Sequence, residues 1–193
     1  MIQANEDNTG WRRALRRELL ARRMALSDAE HQTFSAQIVD HLQARFDAPE
    51  TLGFCWPIKR EPDIRTIVER WQQAGTQAAL PVVINENSPL AFRQWQANTP
   101  LELDRYGIPT PTQGDWLTPE MILLPLNGFD PAGFRLGYGG GYFDRTLAAL
   151  SPRPLTIGIG FELNRIASIR PQAHDLALDW IVTENGVFRP VAA

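Results

Sequence analysis

The sequence predicts an α/β fold on a mostly parallel sheet. Short apolar strands alternate with amphipathic helices, a glycine-rich loop lies between a strand and a helix, and 193 residues are enough for one core. A first helix is expected where Trp11, Leu15 and Leu19 recur every four residues among Arg12, Arg13, Arg16, Arg17, Arg22 and Arg23. One face would dock while the other presents guanidinium groups. Ser27 to Glu30 has the Ser-x-x-Glu form of a capping box, and Phe34, Ile38, Leu42 and Phe46 continue at four-residue spacing as a second helix, with His31 and His41 on its surface. Thr51 to Trp56 reads as a strand, Asp63 to Gln73 as a helix with Ile64, Ile67, Val68 and Trp71 inward, and Gln77 to Ile84 as the next strand. A strand from Leu90 to Trp95 precedes a proline-rich connection, Thr99 to Pro119, expected to be a loop. Met121 to Leu126 is a buried strand, Tyr142 to Leu150 a helix, and Leu155 to Gly160 and Trp180 to Thr183 the closing strands. No repeat or linker divides the chain, so residues 11–193 are expected to be one domain behind a flexible segment, 1–10.

Composition narrows the function classes. A chain of this length buries roughly 70% of the surface its unfolded form exposes, so it needs no covalent staples. The single cysteine, Cys55, lies in the apolar run Leu52-Gly53-Phe54-Cys55-Trp56 and suits a small core residue in a reducing compartment. No apolar run approaches a membrane span, and Glu6 and Asp7 interrupt any secretory leader, so the protein is read as cytoplasmic. The net charge of −3 conceals an asymmetry, because residues 12–23 carry six arginines against Glu18 and leave −8 on the remainder. Such a helix admits three readings: a solvated face, a nucleic-acid contact, or an arginine-rich transit peptide. On an acidic chain with no accompanying RNA-binding motif, nucleic acid is not expected as a partner.

The segment Asn127 to Arg145 concentrates the chemistry. Gly137, Gly139, Gly140 and Gly141 lack a Cβ, so their backbone is expected to take positive φ and bring N–H groups close to an anion. Arg135 can fork onto phosphate oxygens, and Asp144, one turn into the next helix, offers a carboxylate to magnesium. The loop has neither the Gly-x-x-x-x-Gly-Lys-Ser/Thr pattern nor, with Tyr142 in the last glycine's place, the Gly-x-Gly-x-x-Gly fingerprint. A tight turn uses glycines in the same way, so the cluster by itself leaves both readings open.

Its flanks carry a more specific likeness. Phe129-Asp130 followed by Arg135-Leu136-Gly137-Tyr138-Gly139-Gly140-Gly141-Tyr142-Phe143-Asp144-Arg145 closely resembles the signature of the 5-formyltetrahydrofolate cyclo-ligase, or methenyltetrahydrofolate synthetase, family. Arg12-Arg13-Ala14-Leu15-Arg16 with Arg22-Arg23-Met24-Ala25-Leu26-Ser27 resembles the family's opening basic helix. Glu61-Pro62-Asp63-Ile64-Arg65-Thr66 is similar to its Glu-Val-Asp-Thr segment, and Pro171-Gln172-Ala173-His174-Asp175 with Leu178-Asp179 to its C-terminal acidic motif. The four motifs stand in the family order. Three departures are visible: Arg12 where the family usually has lysine, Pro125-Leu126-Asn127-Gly128-Phe129-Asp130 where it often reads Pro-Gly-Val-Ala-Phe-Asp, and Phe143 in place of a second tyrosine.

The resemblance implies a three-layer α/β sandwich and a monomeric enzyme that uses ATP and Mg2+ to turn 5-formyltetrahydrofolate into 5,10-methenyltetrahydrofolate. It implies ATP contacts from Arg12, Arg13, Ala14, Leu15 and Arg16 and from the loop Arg135, Leu136, Gly137, Tyr138, Gly139, Gly140, Gly141, Tyr142 and Phe143. Folate contacts are implied at Trp56, Glu61 and Tyr138 to Tyr142, and magnesium ligands at Asp144 and Asp175. Tyr142 and Arg135 are the expected catalytic side chains, while His174 is not expected to be catalytic. Two rivals remain on the sequence: an ATP-dependent enzyme acting on another formylated compound, and a non-enzymatic nucleotide- or RNA-binding module. A serine-hydrolase elbow and a structural zinc set are both missing from the chain.

Overall fold

The computed structural model describes residues 2–191. Helix α1 (Ile2–Met24) starts earlier than the arginine pattern suggests, so residues 2–10, expected as a separate segment, lie within it; Gly10 in a helix costs only about 1 kcal/mol. α2 (Asp28–Arg45) begins on the expected capping box, with Ser27 and Glu30 each accepting from the other's backbone N–H. The remaining helices are α3 (Arg65–Gln73) and α4 (Tyr142–Ala149). The strands in chain order are β1 (Thr51–Phe54), β2 (Gln77–Val82), β3 (Ala91–Gln94), β4 (Leu101–Leu103), β5 (Pro109–Pro111), β6 (Trp116–Leu117), β7 (Met121–Pro125), β8 (Gly128–Phe129), β9 (Arg135–Leu136), β10 (Leu155–Ile159), β11 (Trp180–Thr183) and β12 (Gly186–Phe188).

Eight of these strands form the central sheet, in the order β12-β11-β10-β7-β1-β2-β3-β6. The inner five, from β11 to β2, are parallel, and the outer pairings are antiparallel. Side chains alternate between the two faces with the strand period of two. Leu52, Phe54, Leu80, Leu123, Ile157 and Ile159 face α2 and α3, where they meet Ile38, Leu42, Ile67, Val68 and Trp71. Ile122, Leu124 and Ile181 face the other way, toward Leu147 of α4 and Leu178. Three layers result, with the four apolar residues of β7 buried on both faces as a central parallel strand requires.

Two regions differ from the sequence reading. The proline-rich connection is not a plain loop: β4 and β5 pair as a hairpin outside the main sheet, and β6 extends the sheet edge. Pro109 and Pro111 are tolerated because a two-stranded ribbon leaves one side of each strand without ladder bonds to lose. The chain also continues past β11 into β12, an antiparallel return that the Asn185-Gly186 pair signals. His31 and His41 are half-buried, not surface residues: their Nε2 atoms donate to the carbonyls of Glu61 (2.9 Å) and Glu184 (3.2 Å).

After β1 the chain passes through α3 to β2 on one side, and later returns as β7 on the other side of β1. Ligands of open α/β sheets bind where strand order reverses in this way, beyond the carboxyl ends. α1 closes that end. Its Arg23 donates to the carbonyl of Leu126, just after β7, while Asn127 Nδ2 donates to the carbonyl of Arg16.

Candidate active site at the carboxyl ends of the strands

The glycine loop leads from the β8–β9 ribbon into α4, and the buried carboxylate of Asp130 fixes its base. That carboxylate accepts from the N–H groups of Ala132, Phe134 and Ile169 at 3.0–3.1 Å. Only Gly139 (φ +100°) and Gly141 (φ +64°) take the left-handed conformation expected for the whole cluster. Gly141 is the N-cap of α4, and a Cβ there would lie 2.9 Å from Arg145 Nη1. Gly140 is required for space instead, because a Cβ would meet the Tyr142 ring at 2.8 Å. Arg16 packs under the loop, with Nε donating to the Gly137 carbonyl at 2.8 Å. The outcome is a short helix N-terminus whose first N–H groups have no partner among the described residues, next to a guanidinium, a place suited to an anion.

Arginine–carboxylate pairs line the same side. Arg12 Nη2 lies 2.5 Å from Asp175 Oδ2, and Arg12 Nε donates to the Ile169 carbonyl. Arg135 Nη2 donates to Asp144 Oδ1 at 3.0 Å, and its Nη1 to the Leu176 carbonyl at 3.2 Å. The Leu176 N–H reaches Asp144 Oδ1 as well, so Asp144 borders the segment that carries Asp175. Burial pushes the Arg135 guanidinium below its ordinary pKa, and Asp144 opposes that shift. Asp144 Oδ2 has no hydrogen-bond partner among the described residues, and carboxylate oxygens are the hard donors magnesium takes. Among the described residues no three His, Cys, Asp or Glu side chains gather to hold a metal. An ion on this aspartate pair would therefore be completed by ligand oxygens and water.

α1 does not divide into an apolar and a basic face as expected. Arg12, Arg16, Leu19 and Arg23 follow one another at spacings of four, three and four and point inward, while Arg13, Ala14 and Arg17 are exposed. Leu15 packs with Leu19, Leu136 and Ile169. The four-residue spacing from Leu15 through Leu19 to Arg23 puts Arg23 on the apolar stripe of the helix.

The second half of the site is drier. Glu61, 4% exposed, lines a cavity of about 10 Å³ together with Cys55, Pro57, Leu123, Pro125 and Ile159. That is room for a single water. Its Oε1 accepts from Tyr138 Oη at 2.5 Å and its Oε2 from the Ile58 N–H at 3.0 Å, while Arg23 Nη2 lies 3.9 Å from Oε1. Each oxygen keeps a lone pair for a further donor. Burial raises the Glu61 pKa above the ordinary carboxylate value, and Tyr138, the Ile58 N–H, Arg23 and Lys59 oppose the rise. Burial and Glu61 raise the Tyr138 hydroxyl, which stays protonated and donates. Trp56 does not join this cavity: it packs edge-on against Trp95 at 5.8 Å, with the Arg65 guanidinium 5.1 Å above its ring.

Phe143 packs into the core on the α4 side of the sheet. The Tyr142 hydroxyl is 2.9 Å from that of Tyr106, at the tip of the β4–β5 hairpin. Sequence reading overlooked Tyr106, since nothing local links a hairpin tip to a helix 36 residues later. His174 is exposed and 4.0 Å from Asp175.

Comparison with known proteins accounts for this arrangement. The model of the 5-formyltetrahydrofolate cyclo-ligase family matches residues 8–184. The 5-formyltetrahydrofolate cyclo-ligase of Mycoplasma pneumoniae is 29% identical over 179 residues, covering 89% of this chain and 98% of its own. The one from Escherichia coli K12 is 25% identical over 176 residues, covering 86% and 97%. Among solved structures, the 5,10-methenyltetrahydrofolate synthetase of Aquifex aeolicus has a TM-score of 0.80 at 25% identity, covering 94% of each chain. That of Mycoplasma pneumoniae has 0.75 at 26%, covering 90% of this chain and 98% of its own. The likeness spans all the elements that build the site, from α1 through the glycine loop to β11. On that extent of agreement, the chain belongs to the 5-formyltetrahydrofolate cyclo-ligase family.

Proposed function

We propose that this chain, acting in the cytoplasm as a monomer with residues 11–193 as its catalytic domain, converts 5-formyltetrahydrofolate and ATP to 5,10-methenyltetrahydrofolate, ADP and phosphate. The observation that carries the reading is the joining of two unlike half-sites by one residue. Tyr138 belongs to the anion-suited glycine loop, and its hydroxyl caps the buried acceptor Glu61.

The chemistry explains why both halves are needed. The N5-formyl group is an amide, so its carbon is a poor electrophile. Attack of the formyl oxygen on the γ-phosphate makes that oxygen part of a leaving group. N10 then closes onto the activated carbon, phosphate departs and the N10 proton is released. Little covalent work falls to the protein, which aligns the substrates, neutralises charge and excludes water. In this reading the loop N–H groups with Arg12, Arg16 and Arg135 receive the phosphates, while Arg13 and Ala14, exposed in the middle of α1 with their backbone bonded within the helix, are given no direct contact. Magnesium held by Asp144 and Asp175 would neutralise phosphate charge. Glu61 accepts the N–H edge of the pterin and Tyr142 places its hydroxyl by the formyl group, whereas Trp56, packed on Trp95 and not lining the Glu61 cavity, is given no contact in this reading. The inward turn of Arg12, Arg16 and Arg23 halves the arginines that α1 offers to nucleic acid, which favours an enzyme over an RNA-binding module.

The test is absorbance of 5,10-methenyltetrahydrofolate formed by purified protein, with each of 5-formyltetrahydrofolate, ATP and magnesium omitted in turn. Product that requires all three supports the reading. Absence of product while ATP still binds points to another formylated substrate.

A further inference from the structure

Arg23 has no role in the reading above, yet among the described residues it is the largest fully buried side chain, at 0% exposure. Taking a guanidinium out of water costs several kcal/mol unless fixed partners replace the solvent. All three of its nitrogens are used at this one place. Nε donates to the Lys59 carbonyl at 2.9 Å, Nη1 to the Leu126 carbonyl at 3.4 Å, and Nη2 to Tyr138 Oη at 2.7 Å. The nearest carboxylate, Glu61, is 3.9 Å away and receives its hydrogen bond from Tyr138, so the phenol hydroxyl accepts from Arg23 and donates to Glu61. The backbone under Glu61 is strained as well. Lys59 and Arg60 both have positive φ, 48° and 57°, in a turn closed by the Glu61 N–H to the Ile58 carbonyl. Two successive non-glycine residues in that conformation are unfavourable and persist only where the surroundings hold them. The Arg23 bond to the Lys59 carbonyl is one such hold.

We propose that Arg23 is a positioning residue for the folate end of the reaction: it clamps the Ile58–Glu61 turn through the Lys59 carbonyl and, through Tyr138, keeps Glu61 an aimed and ionised acceptor. The proposal rests on the reading that Glu61 receives the pterin. The groups facing Glu61 are Arg23 from α1, Tyr138 from the glycine loop, Lys59 from its own turn, Cys55 after β1, and His31 of α2 on its carbonyl. Of these, Arg23 alone is a permanent cation locked in place on three sides.

Its test compares wild type with Arg23→Met, Arg23→Lys, Tyr138→Phe and, as a control on the exposed face of α1, Arg17→Met. The readouts are the KM of each substrate, kcat/KM against pH, and the Glu61 carboxyl titration followed by 13C NMR of glutamate-labelled protein. Arg23→Met is expected to raise the folate KM roughly tenfold, change the ATP KM less than twofold, and move both the acid limb and the Glu61 midpoint up by about one pH unit. Arg23→Lys should return the pH limb toward wild type but recover the folate KM only in part, since a point charge cannot hold Lys59 and Tyr138 together. An unmoved acid limb and Glu61 midpoint in Arg23→Met overturns the proposal, as does an equal rise in both KM values with a lowered melting temperature. Should Arg23→Met fail to fold, Tyr138→Phe decides alone, and an unchanged limb and folate KM there overturns the proposal. If wild type makes no product, the reading of the reaction fails, while the NMR midpoints of wild type and variants still decide whether Arg23 sets the charge of Glu61.

Discussion

The proposed nucleotide and folate ends of this site use the same pair of groups, arginine and carboxylate, in opposite ways. At the glycine loop the contacts are direct: Arg12 on Asp175 at 2.5 Å and Arg135 on Asp144 at 3.0 Å. At the Glu61 end Arg23 stays 3.9 Å from the carboxylate and a tyrosine hydroxyl stands between them. Direct pairs suit a place where phosphate and metal arrive together, because each arginine can exchange its carboxylate for phosphate while the carboxylate is released to a cation. An indirect pair suits a place that receives a neutral hydrogen-bonding edge, because the charge of the carboxylate is kept while its oxygens remain open to donors. The difference lies in what each end expects to bind.

The sharpest way to break the comparison is Glu61→Ala. The folate kcat/KM should fall roughly a hundredfold, as expected for losing hydrogen bonds to a charged acceptor, with the ATP KM changed less than twofold. Initial rates with either substrate varied would show it, and equal losses in both substrates would mean that the two ends are not separate. Asp144→Asn is the counterpart at the other end. It should raise the half-saturating magnesium concentration roughly tenfold while the folate KM stays within twofold, read from rates across a magnesium titration.

Gly141→Ala sharpens the nucleotide end. The left-handed N-cap and the nearby Arg145 guanidinium make it cost about 1–2 kcal/mol of stability in a denaturant melt, with a several-fold rise in the ATP KM. The smallest effect concerns pH. Burial raises the Glu61 pKa above its unfolded value of 4.5, so the folded protein holds that proton more tightly than the unfolded chain. Stability from this group is then full below 4.5 and lost as pH rises through the folded value, at a slope of no more than about 1.4 kcal/mol per unit. Glu61→Gln should remove that slope, and its melting temperature should gain on wild type as pH rises from 4.5 to neutral. Identical profiles would show that Glu61 is not desolvated. Stabilising the fold while harming the folate end is what a carboxylate kept for binding predicts.

Local chemistry explains what could be read without coordinates. The capping box at Ser27 and Glu30, the four-residue spacing of α2, the buried run of β7 and the glycine loop before α4 each depend on neighbours within about a turn or a strand, so the sequence by itself determined them. The glycine loop likewise pointed to Arg135 and Asp144, whereas Glu61 and Asp175 were singled out only by the resemblance to a known family. The β4–β5 ribbon escaped because its prolines speak for a loop and its pairing depends on a partner strand, and the closing β12 was legible in Asn185-Gly186 but passed over. Tertiary structure alone decided which arginines of α1 turn inward, that Trp56 packs on Trp95 away from the Glu61 cavity, and that Tyr138 joins Arg23 to Glu61 across 115 and 77 residues of chain. A helix pattern reports how residues are spaced, but whether a charged one is buried depends on what the rest of the fold offers it. For Arg23 that offer is two carbonyls and a phenol from three distant segments, assembled only when the strands bring their carboxyl ends together.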